Sequence, residues 1–310
     1  MSHTVLTVST TTLSEMKKHY ASQSAAKLPT GAVFAAKTAD CAITGYRSGK
    51  VLFQGKGAAS EAAKWQGETA QAAPARKKKP APALLPPGFS ELSVIGSDEV
   101  GTGDYFGPIT VVSAFVKKEQ LRELQDIGVR DSKDLTDPQI VAIAKKIARL
   151  IPYSLLILKN EKYNELQQKG MSQGKIKALL HNQALINLHK KIFPERPDAV
   201  LIDQFAEKDT YYRYLKGQKE IFQENVFFST KGESIHLSVA AASIIARYAF
   251  VKQMDQLSSE AGFPIPKGAG SQVDTAAARL IREKGEGALL HFTKKHFANT
   301  EKARRLLNKQ

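Results

Sequence analysis

One cysteine, Cys41, occurs in 310 residues. That excludes an internal disulfide framework and a metal site built on several thiolates, and it fits a reducing compartment. Long hydrophobic runs are also missing. No segment reaches the roughly 20 consecutive apolar residues that a bilayer span requires. The N-terminus, MSHTVLTVSTTTLSEMKK, lacks a basic leader followed by an apolar core of signal-peptide length. These absences predict a cytoplasmic protein with no membrane partner. Acidic residues are scarce as well: 30 Asp and Glu stand against 45 Lys and Arg, a formal net charge of +15. Such an excess points to a polyanionic partner, although it bears on association and not on fold.

What is present suffices for a core. The chain is 42% hydrophobic and long enough for two domains. Strands are expected over 4–8, 32–36, 42–46 and 50–54, with helices over 13–19, where Thr11 or Thr12 can act as cap, and over 58–65. Residues 1–68 thus form a small α+β unit. It contains no convergent set of His, Asp, Glu or Cys, so no chemistry is assigned to it. Lys37, Arg47, Lys50 and Lys56 give it a candidate positive sheet face for docking nucleic acid. Residues 69–88, rich in Ala and Pro with the basic run Arg76 to Lys79, read as a semi-extended linker.

The second domain, 89–310, mixes strands and helices, which predicts an α/β or mixed-sheet architecture. The stretch VIGSDEVGTGDYFGP at 94–108 dominates it. An apolar run, Leu92 to Ile95, leads to the adjacent carboxylates Asp98 and Glu99. Gly101, Gly103, Gly107 and Pro108 then make a turn before the strand 109–116. Alternation along a strand sends neighbours to opposite faces, but a turn can break it and bring both acids to one ion. Further strands are expected at 153–158, 199–202 and 226–228. Helices are expected at 118–126, from Pro138 to Leu150, and at 161–168, 172–193, 211–215, 237–254 and 275–283. The tail from Leu289 is basic: Lys294, Lys295, Lys302, Arg304 and Arg305.

Asp203 ends the buried-type strand VLI, where a charge is rarely left without a reason. Glu233 precedes the long small-residue helix. If Asp98, Glu99, Asp203 and Glu233 converge, they make an all-oxygen site that suits Mg²⁺ or Mn²⁺ better than Zn²⁺. Two such ions about 4 Å apart activate water and stabilise a leaving oxygen in phosphoryl transfer. The plain alternative is scattered caps and surface charges, which spacing alone does not refute. Asp104, Glu207 and Asp209 read as surface or supporting acids, and His236 and His291 as possible helpers.

GSDEVGTGDYFGP at 96–108, DSKDL at 131–135, VLIDQF at 200–205 and KGESIHLSVAAASIIAR at 231–247 closely resemble ribonuclease HIII, a bacterial type 2 ribonuclease H. The resemblance covers essentially the whole chain. It implies a ribonuclease H-like mixed five-stranded sheet with flanking helices, a TATA-box-binding-protein-like N-terminal domain and a basic helical C-terminal tail. It places the catalytic and metal-binding acids on Asp98, Glu99, Asp203 and Glu233, and phosphate contacts on Gly101, Thr102, Gly103, Ser132 and Lys133. The implied reaction is endonucleolytic hydrolysis of RNA paired to DNA, leaving 5′-phosphate and 3′-hydroxyl ends, with Mg²⁺ or Mn²⁺ as cofactor. The chain is expected to be a monomer whose partner is an RNA/DNA hybrid. Related ribonuclease HII carries Gly-Arg-Gly where this chain has Gly101-Thr102-Gly103, which predicts poor cutting at a single embedded ribonucleotide. Two rivals remain on composition alone: a nonenzymatic nucleic-acid-binding protein, disfavoured by the four acids, and a metal-dependent DNA nuclease.

Overall fold

The computed structural model describes residues 3–25, 28–29, 31–65 and 85–308. The chain forms two compact units, Met1–Ala81 and Pro82–Gln310. In the first, β1 (His3–Thr7), α1 (Thr10–His19), β2 (Ala32–Lys37), β3 (Ala42–Tyr46), β4 (Lys50–Gln54) and α2 (Ala58–Ala63) follow one another. The strands make an antiparallel sheet in the order β1-β4-β3-β2. Ser9, and not Thr11 or Thr12, caps α1: its side chain accepts from Thr12 N–H at 3.0 Å, because the threonines already lie inside the first turn. Alternation sorts the strand residues. Phe34, Ile43, Val51 and Phe53 are buried with Leu13 and Met16 of α1 and Ala58 and Ala62 of α2. The alternate set, with Val5, Thr7, Lys37, Lys50 and Gln54, stays exposed. Arg47 and Lys56 fall in turns and not on strands.

The expected linker lies outside the described residues as far as 84. Leu85 packs with Phe89, Val94, Leu201 and Val239. The second unit continues through β5 (Val94–Val100), β6 (Ile109–Val116), α3 (Leu121–Ile127), α4 (Asp137–Leu150), β7 (Tyr153–Leu158), α5 (Asn160–Gln168) and α6 (Gln173–Ile192). Then come β8 (Ala199–Asp203), α7 (Lys208–Leu215), β9 (Val226–Ser229), α8 (Leu237–Ala261), α9 (Ser271–Lys284), α10 (Leu289–Phe292) and α11 (Asn299–Leu307). The sheet order is β7-β6-β5-β8-β9. β5, β6 and β7 pair antiparallel, while β8 runs parallel to both β5 and β9. This is the mixed five-stranded sheet that the family resemblance implies. Among the described residues, no helix is long and apolar enough to cross a membrane.

Two helices sandwich the sheet. The run Ala240–Ala246 of α8 packs against Val112, Ala114 and Val116. Leu185, Leu188 and Ile192 of α6 cover Ile95, Phe115, Val200 and Ile202 on the other side. Small residues let α8 approach closely. A Cβ on Gly96 would lie 2.2 Å from the Ser238 carbonyl carbon and the Val239 nitrogen, so only glycine fits there. The C-terminal helices bury Val273, Leu280, Leu289 and Ala303 against Phe250 and Met254 of α8 and against Tyr105 and Phe106.

The tail is less available than its charge suggests. Lys294 is fully buried, Lys302 lies 3.7 Å from Asp274, and Arg304 is paired with Glu286 and Glu301. The turn expected at the two acids is also displaced. β5 runs unbroken to Val100, and pairing along β6 is regular from Val94↔Val116 to Val100↔Thr110. The glycine-rich turn therefore begins beyond Glu99, at Gly101. There φ is +95° and a Cβ would lie 2.2 Å from the Pro108 carbonyl oxygen.

Candidate active site

Regular pairing fixes where the two neighbouring acids point. Asp98 stands opposite Val112, which packs under α8, and Glu99 stands opposite Val111, which packs on the α6 side. The acids therefore face opposite sides of the sheet, and the turn does not bring them together. β8 lies beside β5 with Ser97 level with Ile202, so one more step sets Asp98 level with Asp203 at the strand ends.

On the α8 side, Asp98 is buried and its carboxyl is pushed well above the usual aspartate range. Burial is the main cause, followed by the charge of Glu99. A hydrogen bond from Ser243 opposes the shift, while Asp203 and Glu233 add to it. Backbone N–H groups orient the cluster. Glu99 N–H donates to Asp98 Oδ1 at 2.7 Å, and Gly232 N–H to Asp203 Oδ1 at 2.8 Å. Ser132 N–H donates to Glu233 Oε2 at 2.7 Å, and Ser132 Oγ lies 2.9 Å from Ser243 Oγ. Glu233 sits in a short 3₁₀ turn, Gly232–Ser234, entered through Lys231 in the left-handed region at φ +61°. Its side chain is buried, and Lys133, 78% exposed, reaches it at 3.5 Å.

On the α6 side, Glu99 is fully engaged. Lys177 Nζ donates to Oε1 at 2.8 Å, and His181 Nε2–H donates to Oε2 at 2.9 Å. Burial alone would raise this carboxyl. The hydrogen bond and charge of His181 and then Lys177 offset that and hold it below the usual glutamate range. Lys177 and His181 stand four residues apart on α6, one above the other on the face toward β5. A buried chain continues inward: His181 Nδ1 lies 2.8 Å from Ser97 Oγ, which accepts from Ser113 Oγ at 3.0 Å. The carboxylate accepts only, so Nε2 carries the proton.

Among the described residues, no three His, Cys, Asp or Glu side chains are gathered tightly enough to hold one ion as they stand. The donor set is nevertheless all oxygen, and Asp98 lies buried among like charges. That chemistry fits a hard divalent cation.

The expected phosphate contacts divide into two groups. Gly101, Thr102 and Gly103 form the turn between β5 and β6, where the Thr102 carbonyl accepts from Gln173 Nε2 at 3.1 Å. Ser132 and Lys133 open a 3₁₀ turn before α4. Arg247 of α8 secures that turn by donating to the Ser132 carbonyl and, at 2.9 Å, to Asp137, which also pairs with Lys267. Asp104 supports the glycine turn, accepting from Gly268 N–H at 2.6 Å, and buried Lys294 donates to the carbonyls of Asp104 and Gly107.

Neither candidate helper histidine joins the acids. His236 caps α8, accepting from Ser238 N–H and donating to the Leu92 carbonyl, and burial lowers it to about 4. His291 is raised by its hydrogen bonds to Glu161 and Glu260 away from the cluster. Lys177, His181, Ser243 and Arg247 were not singled out from the sequence. The Lys-x-x-x-His spacing on the expected helix 172–193 is the one signal in the sequence that could have marked the first two.

A mixed five-stranded sheet in this strand order, with Asp98 buried and Asp203 half-buried at adjacent strand ends, is the ribonuclease H-like architecture. The ribonuclease HII family model matches residues 95–300, and a model for a domain of unknown function matches residues 3–79. The chain is 60% identical to ribonuclease HIII of Bacillus velezensis and 57% identical to that of Bacillus subtilis, each over 100% of this chain and 99% of the relative. A crystal structure of Bst-RNase HIII in complex with Mn²⁺ superposes with a TM-score of 0.72 at 47% identity, covering 100% of both chains. The chain belongs to the ribonuclease HIII family and is a ribonuclease H.

Proposed function

We propose that the chain cuts the RNA strand of RNA/DNA hybrids endonucleolytically, leaving 5′-phosphate and 3′-hydroxyl ends, with Asp98, Glu99, Asp203 and Glu233 as its catalytic acids. The observation that carries this is the burial of Asp98 among three other carboxylates. Such a group of charges is costly to hold in a fold without a cation. Mg²⁺ or Mn²⁺ at these carboxylates supplies water activation and stabilisation of the leaving oxygen. The Mn²⁺ in the Bst-RNase HIII structure supports that choice of ion. Asp98 and Asp203, level at neighbouring strand ends, hold the ion. Glu233, fixed by Ser132 N–H, orients the attacking water. The backbone of Gly101–Gly103 with Ser132 and Lys133 holds the phosphates on either side of the cut.

The same turn sets substrate choice. Thr102 offers a short neutral side chain where an arginine would offer a charged fork of five donors. Discrimination then rests on several consecutive 2′-hydroxyls in the wide minor groove, so runs of ribonucleotides are cut far better than one embedded in DNA. Labelled RNA/DNA hybrid, double-stranded RNA, double-stranded DNA and DNA with one ribonucleotide, each with Mg²⁺, Mn²⁺ or chelator, test this. The hybrid alone is cut efficiently, and only with metal. Equal cutting of double-stranded DNA, or full activity in chelator, rejects the reading.

A further inference from the structure

Two lysines touch the acid cluster, and they differ in one respect. Lys133, at Glu233, is exposed and gives way to an incoming cation at little cost. Lys177, at Glu99, is only 14% exposed, and its ammonium lies 4.2 Å from the centre of the Phe205 ring. A lysine taken this far from water needs compensation, and Glu99 and the ring supply it. Phe205 also stacks on His181 at 5.1 Å, so the Lys177, His181 and Glu99 side chains share one wall. With Oε1 held by Lys177 and Oε2 by His181, Glu99 is already neutralised, in contrast to Asp98.

We propose that Lys177 is a positioning residue that serves as the internal counter-ion of Glu99, competing with the divalent cation for that carboxylate. The proposal rests on the reading of Glu99 as a metal ligand. Filling the site at Glu99 then requires the Lys177 ammonium to withdraw, since it and a divalent cation repel each other at the same oxygen. Removing the ammonium leaves Glu99 buried, negative and still oriented by His181. Both the lost repulsion and the freed charge strengthen metal binding. A lysine whose only task was to hold Glu99 in place would give the opposite sign.

Calorimetric titration of the full-length protein with Mn²⁺, without nucleic acid, separates these. K177M and K177Q bind Mn²⁺ on the order of tenfold more tightly than the native chain, and K177R binds as the native chain does. Without metal, K177M melts lower, and added Mn²⁺ raises its Tm by more than it raises the native Tm. K177Q keeps a polar head and guards against loss of fold in K177M. Unchanged or weaker Mn²⁺ binding in both variants overturns the proposal. E99Q distinguishes the two layers. If E99Q binds Mn²⁺ less tightly while K177M and K177Q bind no better, Lys177 alone has been misread. If E99Q binds as the native chain does, Glu99 is not a ligand and both readings fall.

Discussion

Asp98 and Glu99 are adjacent in the chain and face opposite sides of the same sheet, one toward α8 and the other toward α6. The two surroundings give them opposite characters. Asp98, buried and then crowded by carboxylates, is pushed up, and Glu99, also buried but bonded to His181 and Lys177, is held down. A neutral residue at each therefore has opposite effects on the metal-free fold. D98N relieves buried like-charge repulsion and raises the Tm in chelator. E99Q strands Lys177 and lowers it. Both lose hybrid cleavage by roughly three orders of magnitude or more. Thermal unfolding in EDTA and single-turnover cleavage check this, and a lower Tm for D98N contradicts it.

Thr102→Arg tests whether the glycine turn governs substrate choice. The variant is expected to gain partial cleavage at a single ribonucleotide in duplex DNA, with cleavage of an all-RNA strand changing less. One added side chain seldom rebuilds a recognition network, so the gain stays modest. Comparing kcat/KM on the two substrates in one Mg²⁺ buffer measures it. An unchanged ratio shows that discrimination lies elsewhere.

Lys294 makes stability depend on alkaline pH. Burial lowers its ammonium to about 7 from the ordinary lysine value of 10.5. A neutral amine has two N–H groups, which match the two carbonyls of Asp104 and Gly107. Between pH 7 and 10 the unfolded chain holds a proton that the folded chain does not. The cost of burying this lysine is thus full below pH 7 and falls away as pH rises. The native chain gains stability relative to K294M across that range, by up to about 1.4 kcal/mol per pH unit. Urea midpoints of both chains at pH 7, 8 and 9 decide it, and parallel curves refute it.

Arg247 reaches from α8 to the Ser132 carbonyl and to Asp137, so it aims the Ser132–Lys133 turn without touching the acids. R247M is expected to keep metal affinity and to lose roughly tenfold in kcat/KM on the hybrid, a misplacement effect. D137N gives a smaller loss, because the Ser132 bond survives. Mn²⁺ titration beside steady-state kinetics separates this from damage to the metal site.

On the N-terminal sheet, Lys37 and Lys50 stand on the exposed face opposite the helices, with Lys50 at one end of β4 and Gln54 at the other, level with Lys37 through Ala42. If this face docks a phosphate backbone, K37A and K50A raise KM and leave kcat unchanged. They also reduce the slope of log affinity against log salt by about 0.7–0.9 for each phosphate no longer neutralised. Fluorescence anisotropy on labelled hybrid at several salt concentrations reads the slope. No change in slope assigns the domain another role.

Local sequence determined the elements and the kind of chemistry. Apolar runs of strand length, a capped helix at Pro138 and the small-residue run in α8 are each set by neighbours in the chain, and each lies where its pattern placed it. Asp203 was legible as a candidate because a carboxylate closing a buried strand is costly anywhere. Gly96 and Gly101 were legible only as turn or strand glycines. Their need, an approaching helix backbone at one and a carbonyl oxygen at the other, comes from partners distant in the chain or across the turn. Tertiary structure alone decided the rest. Whether β5 bulges or runs straight depends on its pairing with β6, and that pairing sent Asp98 and Glu99 to opposite faces. In the sequence Lys177 is one of several positives on the helix 172–193 and Lys294 one of the positives of a basic tail. They became a buried counter-ion and a loop fastening because α6 and the C-terminal segment pack against groups 78 and 190 residues away. Residue type sets what a side chain can do, but burial and partners set which charge it meets, and those are properties of the packed fold.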